Sequence, residues 1–84
     1  MVNYPELARG ILQDRFKEEG RPQDDVYVVW FCYILGGWKA LLSTPVEDGR
    51  YYEITHNDKK NQTYIDTYVK ESNILIEGNN NKEQ

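Results

Sequence analysis

"VYVVWFCYILGGWKALLST", Val26 to Thr44, is the stretch on which the fold turns. Its apolar run from Val26 to Leu35 is about half of the roughly 20 residues a membrane helix needs and is rich in β-branched and aromatic types, so it reads as a strand. Gly36-Gly37 tolerates the positive φ angles of a two-residue hairpin turn, and Trp38 to Thr44 then returns as a second strand. If Leu35 opposes Trp38, one face collects Val29, Phe31, Tyr33, Ala40, Leu42 and Thr44. The other collects Trp30, Cys32, Ile34, Lys39, Leu41 and Ser43. The first face is the more apolar and is expected to meet a helix.

Upstream, Asn3 can cap that helix, Pro5 sits in its first turn, and Glu6 stands three residues after the cap, as in a capping box. A helix from about Tyr4 to Glu19 follows. Tyr4, Ala8, Ile11, Leu12 and Phe16 recur on one side with Leu7 at the margin, and Gln13, Asp14, Lys17 and Glu18 take the other. Gly20 is placed as the C-terminal stop, Pro22 prevents resumption, and "RPQDD" links to the sheet.

Downstream, "PVEDGR" breaks the sheet at Pro45 and offers a turn at Asp48-Gly49. "YYEITHNDKKNQTYIDTY" then supplies a second hairpin, with strands near Tyr51 to His56 and Thr63 to Val69. Period two assigns Tyr52, Ile54, His56, Thr63, Ile65, Thr67 and Val69 to the greasier face. Tyr51, Glu53, Thr55, Tyr64, Asp66, Tyr68 and Lys70 go to a polar-aromatic one. Ile74 to Ile76 can add a short edge strand, whereas "EGNNNKEQ" has no apolar residue and is expected to be disordered. The predicted architecture is α+β: an N-terminal helix packed on one face of a four-stranded antiparallel β-meander, two layers in a single domain over residues 1–77, with a polar tail at 78–84.

Eighty-four residues make one domain with a small core, and a lone cysteine, Cys32, excludes an internal disulfide and any cysteine-rich zinc site. The start "MVNYPELARG" lacks the basic and apolar regions of a signal peptide, so the expected location is the cytoplasm and no membrane partner is expected. Ten basic against fourteen acidic residues give a net charge of −4, which disfavours nucleic acid and anionic lipid.

One helix cannot hide both faces of a four-stranded sheet. The uncovered face should carry Trp30, Tyr51, Glu53, Tyr64, Asp66 and Tyr68, and these are the expected partner-binding residues. Glu53 and Asp66 can approach each other across the second hairpin, but acidic residues on the wet side of antiparallel strands are ordinary, so no catalytic pair is assigned and no enzyme is expected. His56, the single histidine, is expected to be packed or hydrogen bonded at the end of the sheet and lacks the companions of a metal site. Cys32, among Trp30, Phe31, Tyr33 and Ile34, reads as packing. Gly36-Gly37 lacks the later glycine and lysine of a phosphate loop, so no cofactor is implied. Aromatic residues on an open sheet can stack single-stranded bases, and Lys59 and Lys60 sit at the hairpin tip. The carboxylates would interrupt that platform, and nucleic acid is disfavoured as a partner. Tyrosine, tryptophan and a negative rim suit a basic protein surface better. A second copy of the chain, forming a homodimer, is the alternative occupant.

Over about Asp25 to Lys70, and in particular at "VYVVW", "WKALLST", "DGRYYEIT" and "YIDTYVK", the chain resembles a family of small proteins of unassigned function encoded by phages and prophages of Gram-positive bacteria. The resemblance brings no catalytic or ligand residue with it. It implies a context in which small acidic proteins bind and inhibit or redirect a host or defence protein, RNA-guided nucleases included, in the host cytoplasm.

Overall fold

The computed structural model describes residues 2–21 and 25–78, and it begins with the helix that the cap announces. Asn3 Oδ1 accepts the Glu6 backbone N–H at 3.1 Å, and α1 runs over Tyr4–Glu18. Its end is closed by two backbone bonds, from the Gly20 N–H to the Lys17 carbonyl and from the Arg21 N–H to the Phe16 carbonyl, with Gly20 at φ 71°. Pro22 and most of the expected linker, like residues 79–84 of the expected tail, lie outside the described residues.

Four strands follow: β1 (Tyr27–Ile34), β2 (Gly37–Ser43), β3 (Arg50–Asn57) and β4 (Gln62–Val69), all antiparallel in the order β1-β2-β3-β4. The α+β meander with one helix is therefore as expected. The first turn is not. Ile34 pairs with Gly37, so Leu35 and Gly36 form the turn, and Gly36 takes the positive φ, 83°. Gly37 belongs to β2 instead, where a Cβ would run into the His56 carbonyl, so only glycine lets β3 approach this closely. This moves the pairing by two residues, which preserves the face of every side chain from Trp30 to Leu41.

A bulge then corrects the alternation further along β1. The register shifts between Val28 and Trp30, so Val28 opposes Leu42 and packs against the core, while Val29, expected inside, is exposed. In the second hairpin Glu53 opposes Asp66 and Ile54 opposes Ile65, closed by a tight loop at residues 58–61 whose Asn61 has φ 49°.

α1 presses Ala8, Leu12 and Phe16 onto β1 and β2, and the buried cluster is completed by Val26, Trp38, Ala40, Leu42, Tyr52 and Ile54. Leu12, Leu42 and Ile54 are fully buried, each worth about 1.5–3 kcal/mol of apolar transfer. Two arginines tie the helix to the sheet. Arg9 Nε donates to the Val26 carbonyl at 2.9 Å, and Arg21 donates to the Tyr52 hydroxyl at 2.8 Å while its guanidinium lies 4.3 Å over the Phe16 ring. Tyr52 and, to a lesser degree, Glu19 raise the pKa of Arg21 against the opposing effect of burial.

The turn end of β1 and most of β4 lie beyond this cover. Tyr33, placed on the helix side, meets Tyr4 edge to face yet is mostly exposed, and Val69, expected in the core, is 64% exposed beyond the reach of the helix. Ile65 is only partly buried, and Thr63 and Thr67 are exposed. Ile74 to Ile76 do not form the expected edge strand: residues 70–78 carry no helix or strand.

Candidate functional site

Two complete rows of side chains cross the face that α1 leaves open. Trp30 neighbours Leu41, Leu41 neighbours Glu53, and Glu53 neighbours Asp66. In parallel, Cys32, Lys39, Thr55 and Tyr64 follow one another, and Tyr51 meets Tyr68 beyond them. The six residues singled out from the sequence, Trp30, Tyr51, Glu53, Tyr64, Asp66 and Tyr68, thus lie on one face, which the alternation of β-strands makes possible without any long-range coincidence.

Electrostatics order the middle of this face. Glu53 and Asp66 are directly opposed, an arrangement that is repulsive by itself. Glu53 is relieved by Lys39, whose Nζ is 3.9 Å from its Oε1, and by the Tyr68 hydroxyl, which donates to the same oxygen at 3.2 Å. The negative charge of Glu53 and this bond, with a smaller push from Asp66, raise the pKa of Tyr68. Glu53 is consequently an organiser more than a rim charge: only 18% of its side chain is exposed. Asp66 is exposed and has no hydrogen-bond or ionic partner among the described residues. Tyr64 donates to Gln62 Oε1 at 3.0 Å.

Cys32 lies on this face and is exposed, contrary to the packing role expected from its apolar neighbours: Phe31 and Tyr33 turn to the opposite side, and Trp30 and Ile34 share its uncovered face. His56 is on the other face, as expected. Its ring stacks on Trp38 at 5.5 Å, with Nδ1 2.9 Å from Thr63 Oγ1 and Nε2 3.2 Å from Asp58.

Alternation missed one residue. The β1 bulge turns Tyr27 toward the open side, opposite Ser43, although strict period two would send it to the helix. No glycine or proline marks the bulge, so the local sequence holds no signal for it. Tyr27 and Tyr51 line a cleft of about 370 Å³ at the foot of the face, together with Ser43, Glu47, Arg50 and Lys70. The cleft is separate from the Glu53–Asp66 pair, which stands on the open sheet.

No helix among the described residues is long and apolar enough to cross a membrane. No group of three or more histidine, cysteine or acidic residues that could hold a metal ion occurs among them. No curated protein and no solved structure matches the chain. Residues 5–78 match DUF6275, a family of unknown function, and the chain belongs to that family.

Proposed function

We propose that this chain is a non-enzymatic protein-binding module of phage type, which docks on a host or defence protein in the host cytoplasm and inhibits or modulates it. A nucleic-acid-handling enzyme such as an RNA-guided nuclease has the basic surface that such a partner needs. The observation that carries the reading is the open face itself: Trp30, Tyr51, Tyr64 and Tyr68 are between 39% and 54% exposed there, around carboxylates. Large rings with few rotatable bonds bring contact area at low entropic cost, and interface centres are enriched in them. The exposed Asp66 and the net charge of −4 favour a basic surface and speed encounter with it.

Affinity capture from the host tests this. A basic protein should be retained by the wild type, released progressively by salt, and lost with Tyr64→Ala and with Glu53→Lys while the circular dichroism spectrum stays native. Retention of a single-stranded oligonucleotide that Trp30→Ala abolishes would overturn the reading in favour of base stacking.

A further inference from the structure

β1 is an outer strand of the sheet, so its outer backbone groups meet no other strand among the described residues. Its sequence, YVVWFCYI, has no charge and no proline, the residues that ordinarily guard such an edge. The bulge near Val29 disrupts one end, but residues 30–34 pair regularly with β2 and leave an unbulged apolar edge. Apolar side chains flank it on both sides, Phe31 and Tyr33 toward the helix and Trp30 and Ile34 toward the open face.

The chain also carries an apolar segment with nothing to bury it. Ile74, Leu75 and Ile76 are consecutive and 75%, 83% and 86% exposed, in a stretch without secondary structure. Side chains this bare make almost no contact with their own domain, and the two β-branched isoleucines suit a strand.

We propose that this arm, residues 73–77, adds as a strand to the outer edge of β1, residues 30–34, of a second copy of the chain. Segment and edge match in length and in their lack of internal charge. In a strand, Ile74 and Ile76 face one side and Leu75 the other, and β1 offers apolar neighbours on both. The chain's own β1 is out of reach. Its outer side lies four strand spacings from β4, about 19 Å, whereas the four steps from Val69 to Asn73 span at most about 14 Å. Every chain carries both halves of the contact, which makes a second copy its natural partner. Trp30 borders both surfaces, but the inference rests on the β1 edge and the arm, whatever docks on the open face.

Light scattering on the full chain after size exclusion tests it. The wild type should have at least twice the 9.9 kDa mass of one chain, and Ile74→Glu combined with Ile76→Glu should return it to that mass with an unchanged circular dichroism spectrum. Cys32, at the centre of the acceptor edge, gives a second measurement. Under mild oxidation Leu75→Cys should yield more disulfide-linked dimer than either the wild type or Leu75→Cys combined with Cys32→Ser. Tyr64→Ala, on the open face, should leave the mass unaltered, so failure of this contact and failure of partner docking are read separately. A single-chain mass for the wild type, or an assembly that survives in the double glutamate variant, would overturn the proposal.

Discussion

On the helix side of the sheet Trp38, Ala40, Leu42, Tyr52 and Ile54 are all buried, whereas on the other side Trp30, Tyr51, Tyr64 and Tyr68 keep between 39% and 54% of their surface. Aromatic content does not separate the two faces, since each has tryptophan and tyrosine. Cover does. The helix supplies Ala8, Leu12 and Phe16 to one side, and the described residues supply no equivalent layer to the other. The same side-chain types therefore stabilise the domain on one face and remain available for contact on the other.

Substitutions measure that difference. The largest effect is expected at Ile54→Ala, which empties a fully buried site and should lower unfolding stability by about 2–5 kcal/mol in chemical denaturation. Next, Tyr52→Phe removes the hydroxyl that accepts from Arg21 and should cost about 1.5 kcal/mol in the same assay, less if water replaces the lost acceptor. On the open face, Trp30→Ala and Tyr64→Ala should each cost within about 1 kcal/mol. If either costs as much as Ile54→Ala, the face is covered in the protein as it exists in solution, and the contrast between the faces fails.

The smallest effect concerns protonation. Because Glu53 raises the pKa of Tyr68, the contribution of the neutral hydroxyl is fully present below the usual tyrosine value of about 10 and is lost as pH rises through the raised value. Glu53→Gln should shift the titration of this one tyrosine to lower pH, read from tyrosinate absorbance. An unchanged titration would show that Tyr68 and Glu53 are not held together.

The accuracy of the expectations divides along the same lines. The cap at Asn3, the stop at Gly20 and the face of each residue in the second hairpin were legible, because each depends on neighbours within a few positions. The first turn was misplaced by one residue because Gly36 and Gly37 differ in what they do: the φ of Gly36 is a local demand, but the need for glycine at Gly37 comes from His56 on another strand. The exposure of Cys32 and Val69 was misjudged for a related reason, since burial depends on what lies across from a side chain.

The sequence by itself determined the helix, the four strands, and the gathering of Trp30, Tyr51, Glu53, Tyr64, Asp66 and Tyr68 on one face, through capping chemistry and the two-residue period of a strand. Only the tertiary structure decided that Tyr27 joins that side through a bulge, that Glu53 is held by Lys39 and Tyr68, and that Ile74 to Ile76 stand clear of the domain. Those outcomes rest on contacts between segments distant in the chain and on the limited span of one fifteen-residue helix, which covers β1 and β2 but not the far edge of the sheet.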